Sequence, residues 1–254
     1  MEKPKDIYRN EWKYLISHSE GELLRRRLAP FLHLDKHAKE DGYEIRSLYF
    51  DDYKNTAYNQ KLMGVYARKK WRIRIYNYSD AKISLERKKK SGSYIFKEMA
   101  DITREEFERI MAGDYGFLLE KKENLCKEFY VECLTNLLRP KVIVDYKRLP
   151  LILDEGTVRI TFDSEVAAAV GSFDIFDETL PKLPAIDEGV EVLEVKYTEF
   201  LPQIISELLP TDGQEFVAFS KYVSCYDAAH QLTDVTAGIS KNCGRFAEKN
   251  WHIF

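Results

Sequence analysis

Arg68, Lys70, Arg72 and Arg74 occupy every second position of one run. Glu86, Lys88 and Lys90 do the same in the next. Successive side chains of an extended strand point to opposite faces, so each set shares one side. Read as a hairpin of 67–78 and 82–90, the two runs place these charges on a common face. Trp71, Ile73 and Ile75 lie opposite, with Ile83, Leu85 and Arg87 of the second run. The apolar face packs. The charged face sets like charges across from one another, which destabilises a sheet unless water or a polyanion lies between them. A basic run is ordinarily a solvated surface. Here arginine outnumbers lysine over 68–76, and the planar guanidinium grips phosphate oxygens two at a time.

An acid-x-lysine pattern recurs in three strand-like runs: Glu11 and Lys13, Glu86 and Lys88, Glu194 and Lys196. Arg159, between Val158 and Ile160, also points away from an apolar side. Arg148 follows Tyr146 by two residues, and Arg46 and Arg148 read either as ligands or as partners of Asp51 and Asp145. Runs such as VLEVKY mark strands covered on both faces. Burying unpaired charge there is costly, and a water-filled channel lined by Lys, Arg and Glu removes the cost. Its cations would hold phosphate oxygens. One or two carboxylates, together with those oxygens, would hold Mg²⁺ or Mn²⁺. No Ser/His/Asp or Cys/His arrangement and no histidine cluster stands out. Tyr49, Tyr58, Tyr76, Tyr146 and Tyr222 read as core or rim packing.

The charge distribution supports a confined site. The chain has 254 residues, 44% hydrophobic and 32% charged, with net charge −3. Residues 61–90 hold eleven Lys/Arg against two acids, so the remainder carries −12. A nucleic-acid binder is basic over a broad surface, and none is expected as a partner. A cationic site within an acidic shell fits a confined anionic ligand. No apolar run approaches the roughly 18 residues of a membrane-spanning helix. Cys126, Cys133, Cys225 and Cys243 lack CxxC spacing and read as reduced, structural thiols of a cytoplasmic protein.

The elements that must position these residues alternate strand and short helix. Strands are expected at 8–16, 43–51, 67–78, 82–90, 93–102, 140–153, 157–166 and 191–198. Helices are expected from Ser17 or Ser19 to Pro30, from Asn55 to Gly64, after the Thr103/Glu106 capping box, over 115–138, at 202–209 and at 220–232. The tail beyond about Thr236 is weakly patterned. Eight strands in hairpin order with inserted helices give an α+β fold. Eight can also close into an antiparallel barrel or tunnel with peripheral helices. Residues 1–254 are expected to form one such domain.

In order and spacing, YRNEWKYLI, IRSLYFDD with Tyr58, RKKWRIRIY, SLERKKK, VIVDYKRLPL, VRITFD, VLEVKY and FSKYVSC make a specific set. By these the chain resembles the VTC-type polyphosphate polymerase domain of the triphosphate tunnel metalloenzyme (CYTH-like) superfamily. The resemblance implies a basic β-tunnel holding a nucleoside triphosphate and a growing polyphosphate, and a divalent metal, Mn²⁺ or Mg²⁺. It implies that Lys13, Arg72, Arg74, Lys88 and Arg159 are phosphate ligands and that Glu194 is the metal carboxylate. Lys221 would bind phosphate from a helix closing one tunnel end. Further wall residues would be Glu11, Arg46, Arg68, Lys70, Glu86, Lys90, Arg148 and Lys196. The resembled polymerases carry a lysine three residues before Lys221. This chain has Ala218 there, which removes one phosphate contact. The implied activity is transfer of the terminal phosphate of ATP to polyphosphate, with phosphate or pyrophosphate as first acceptor. A tunnel-type triphosphatase and a non-catalytic polyphosphate-binding module are the alternatives.

Overall fold

The computed structural model describes residues 10–92, 94–198, 200–210 and 219–231. Ala218, Cys243, the first residues of the expected 8–16 strand and the tail after Thr236 lie outside them. Ten strands form one antiparallel sheet: β1 (Asn10–Ser17), β2 (His33–Leu34), β3 (Tyr43–Asp51), β4 (Ala67–Tyr76), β5 (Ser79–Ser91), β6 (Tyr94–Ile102), β7 (Arg139–Leu153), β8 (Val158–Ala169), β9 (Lys182–Pro184) and β10 (Val190–Tyr197). The main path runs β1-β10-β8-β7-β3-β4-β5-β6, with β2 added to β7 and β9 to β8. Its eight strands are those marked by the alternation in the sequence. The two short ones carry too few residues to show a period.

The sheet is curled but not closed by hydrogen bonds. β1 and β6 are its edges and do not pair with each other. The expected antiparallel tunnel with peripheral helices is present, built by a sheet whose edge strands are not hydrogen-bonded to each other. The curl is spanned by side chains: Lys88 of β5 reaches Glu11 of β1 at 3.0 Å.

Two apolar clusters cover the convex side. One packs Leu48, Trp71, Ile73, Ile75 and Leu85 under α3 (Arg104–Met111) and α4 (Asn124–Thr135), with Phe129 edge-on to Trp71. The other packs Ile16, Ile160, Phe162, Leu193 and Val195 under α1 (His18–Leu28) and α5 (Gln203–Leu208). Ser17 caps α1 in a reciprocal capping box with Glu20, and Thr103 caps α3 with Glu106. The helix expected over 115–138 is in fact two pieces, a 3₁₀ turn at Gly116–Leu119 and α4. Glu120–Glu123 are all charged and offer no side chain to bury, and Glu123 is extended, so a new helix starts after it. Cys126 and Cys133, seven apart on α4, are fully buried.

The third cluster belongs to the concave side. There the helix at 221–231, termed α6, lays Tyr222, Cys225 and Tyr226 against Ile45, Tyr49, Val144 and Val192. Asp51 anchors it. Its carboxylate accepts the Tyr222 hydroxyl at 2.8 Å and the Ala57 and Tyr58 amides at the start of α2 (Thr56–Leu62). The Tyr58 hydroxyl donates in turn to Asp227 at 2.6 Å. Thus α6 caps one end of the concave face. No described helix is long and apolar enough to cross a membrane.

Candidate functional site

Hairpin register sets the cationic wall. β4 and β5 oppose Arg72 to Glu86, Lys70 to Lys88 and Arg68 to Lys90. The even-numbered residues of β4 face inward because Trp71, Ile73 and Ile75 are claimed by the convex core. The curl encloses a cavity of about 850 Å³ lined, among the described residues, by thirteen Lys/Arg and two carboxylates, Glu11 and Glu194. Lys13, Arg72, Arg74, Lys88, Arg159, Lys221 and Glu194 all line it. So do Glu11, Arg68, Lys70, Lys90, Arg148 and Lys196.

Two expected residues sit elsewhere. Arg46 faces the convex side, fully buried, where it forms a two-pronged pair with Asp145 at 2.8 and 2.7 Å and donates to the Asp177 carbonyl. It is not a wall residue. Both faces of β3 are buried, so alternation alone could not tell its cavity side from its core side. Glu86 points inward but lies beneath the wall, 1% exposed, holding Arg72 at 2.6 Å and Lys97 at 2.7 Å. It orients cations and does not line the cavity.

The carboxylates organise the centre. Glu194 sits among Lys13 at 2.9 Å, Lys221 at 3.4 Å, Arg148 at 3.6 Å and Lys196. Asp163, fully buried, takes both prongs of Arg148 at 2.6 Å and Lys221 at 2.6 Å. Arg74 donates to Ser47 and to the Tyr146 hydroxyl, each at 3.0 Å. Arg72 donates to Tyr49 at 2.9 Å. At another point on the lining Arg159 pairs with Asp35 at 3.0 Å.

Asp163 and the role of Tyr146 are absent from the sequence expectation. A signal existed for Asp163: Arg159, Thr161 and Asp163 share one face by period two. Lys61 comes from helix α2 and Ser220 from the residue before α6, where no strand period points at a cavity.

Burial raises the Glu11 carboxyl, but Lys88, Lys13 and Lys196 outweigh it and hold it at about 2. For Glu86 burial is likewise outweighed, by Arg72, Arg74 and Lys97, again to about 2. Glu194 is held well below the usual carboxylate range, burial being overcome by Lys13, Lys196, Lys221 and Arg148. The cations divide. Burial would lower Lys13, yet Glu194 and Glu11 outweigh it and raise it. Lys88, paired with Glu11, is lowered to about 8 by burial and by Lys13 and Lys196, which outweigh Glu11 and Glu194.

A pH dependence follows. A carboxyl with a folded pKa of about 2 and an unfolded value of 4.5 stabilises the fold fully above pH 4.5. That contribution is lost as pH falls toward 2. Urea midpoints should therefore decline steadily from pH 5 to pH 2.5, and Glu86→Gln should flatten the decline.

A divalent cation can be tested against these donors. Among the described residues no group of three or more His, Cys, Asp or Glu converges. Glu11 and Glu194, however, bracket one ammonium, Lys13, at 3.2 and 2.9 Å. Two carboxylates on one cation position, completed by phosphate oxygens, suit Mg²⁺ or Mn²⁺. The residues present fit such an ion when it arrives with its phosphate ligand.

A curled antiparallel sheet with an apolar exterior and a cation-lined interior defines a tunnel-type polyanion site. Residues 8–230 match the family model of the VTC domain, and the chain belongs to that family. No curated protein matches. Among solved structures the chain is similar to a candidate adenylate cyclase from Bacillus halodurans, at 13% identity and TM-score 0.47, covering 81% of this chain and 94% of that one. It is also similar to the PH1012 protein of Pyrococcus horikoshii, at 10% identity and TM-score 0.44, covering 87% and 99%. Family membership rests on the model match alone.

Proposed function

We propose that this protein is a metal-dependent polyphosphate polymerase that moves the terminal phosphoryl group of ATP onto a phosphate chain. The observation that carries the reading is the cavity wall, thirteen cations around two carboxylates, in a chain of the VTC family. In the step, the bond between the γ-phosphorus and the β,γ-bridging oxygen breaks. A terminal oxygen of the acceptor chain forms the new P–O bond, and ADP departs with the bridging oxygen.

A divalent ion held by Glu194, with Glu11 as second carboxylate, would supply Lewis-acid neutralisation of phosphate oxygens. The chain's own residues do the rest. Arg72 and Arg74 are fixed by Glu86, Tyr49, Ser47 and Tyr146, so their guanidinium groups meet phosphate oxygens without reorganising. Lys13, Lys88 and Lys221 place further positive charge near the carboxylates. Such alignment is what phosphoryl transfer requires.

Incubation of the purified protein with ATP and Mn²⁺, with products resolved by gel and by nucleotide chromatography, tests the proposal. Long polyphosphate with equimolar ADP is expected. Orthophosphate without polymer would make the protein a triphosphatase. No turnover, with salt-sensitive polyphosphate binding, would make it a binding module.

A further inference from the structure

Lys70 stands apart from the other cavity cations. Its Nζ meets the Ser220 hydroxyl at 2.8 Å and the Tyr222 ring at 5.2 Å. Among the described residues no carboxylate lies within ion-pair distance of it. The charges that bear on it are cationic: Lys88 directly across on β5, Lys13 on β1, Lys61 on α2, and Arg68 on its own strand. α6 and the residue before it offer only Tyr222 and Ser220. The nearby acids are engaged elsewhere: Glu11 holds Lys13 and Lys88, Glu86 holds Arg72 and Lys97, and Asp51 of β3 accepts from Tyr222 and from the Ala57 and Tyr58 amides.

We infer that Lys70 is a proton-loading phosphate site, an amine hydrogen-bonded to Ser220 and crowded by cations that gains protons as a phosphate chain enters. The inference rests on the polyphosphate reading above. Opposed lysines with no acid between them repel, and burial removes the water that would otherwise screen them. Burial, then Lys88, Lys61, Lys13 and Arg68, all push Lys70 well below an ordinary lysine. Each phosphate unit brought into the cavity supplies the missing negative charge. The amine then takes a proton from solvent, and the charge of the wall rises only when its ligand is present. Before that, the strip from Arg68 to Lys88 is less self-repelling than its sequence suggests.

Calorimetric titration with tripolyphosphate at pH 7.5, in two buffers of different ionisation enthalpy, counts protons taken up per ligand. The protein with Lys70 and its Lys70→Arg counterpart, whose guanidinium stays charged, are compared. Both are made in a Lys88→Arg background, because a fixed charge at position 70 would shift the facing Lys88; proton changes on the ligand itself are common to both. The protein with Lys70 is expected to take up more protons per ligand than its Lys70→Arg counterpart. Equal uptake in the two proteins overturns the inference. Should Lys70→Arg fold poorly, the wild-type and Lys70→Gln decide: the wild-type's tripolyphosphate affinity must fall between pH 7 and 9 more steeply than that of Lys70→Gln. Equal slopes overturn the inference. Absence of any tripolyphosphate binding by the wild-type protein overturns the polyphosphate reading instead.

Discussion

Glu194→Gln is expected to reduce Mn²⁺- and ATP-dependent polyphosphate synthesis by roughly 100-fold or more, equivalent to about 3 kcal/mol of transition-state stabilisation. The carboxylate is 5% exposed and touches four cations. It is the proposed metal ligand, so its amide should lose the metal dependence of the reaction. Removing one negative charge from a wall of cations should leave tripolyphosphate affinity unchanged or tighter. The informative result is the split: Mn²⁺ titration of initial rate on one side, calorimetric binding of tripolyphosphate without metal on the other. Retained turnover would place the metal elsewhere. Loss of both would mean that Glu194 holds the site together and nothing more.

Asp163→Ala is expected to cost about 3–5 kcal/mol of stability, because it strands buried cations that have lost their partner. Arg148 loses a two-pronged pair and Lys221 a 2.6 Å contact, and each is only 9% exposed. Glu194 cannot replace Asp163, since it is already shared among Lys13, Lys196, Lys221 and Arg148. Urea denaturation at pH 7.5 measures the loss. Adding Arg148→Met to Asp163→Ala should recover part of it, because the double variant removes one stranded charge. A loss below about 1 kcal/mol would show that water or Glu194 compensates Arg148 and Lys221 after all.

Much of this site was legible where a strand has one apolar and one polar face. Arg68–Arg74 and Glu86–Lys90 alternate with core residues, and the register places them as the period requires. Legibility failed where both faces are buried. On β3, Arg46 and Ser47 are adjacent and both fully buried, one in the convex layer and one beside Arg74 in the cavity. Only the fold decides between them. It failed again at chain elements without period two. Lys61 and Ser220 reach the cavity from a helix and a helix start, so nothing local marks them. Arg87 shows a third kind of ambiguity. It falls on the core face, as its position predicts, and is accommodated there by Glu98 and Glu128 while lying over the Trp71 ring. The open seam between β1 and β6 has no sequence signature, because closure depends on the curl of the whole sheet and not on any one strand.

The strict inside–outside alternation of β4 also bears on how the chain finds its fold. A slip of one residue against β3 would push Arg72 and Arg74 into the layer around Phe129 and turn Trp71 and Ile73 into the cation-lined cavity. Both displacements are unfavourable, and they occur together. A sheet with one polar face on a solvent boundary tolerates a slipped strand more easily, since its polar residues can reach water from either position. Here the charges that await a ligand also act as a register lock during assembly.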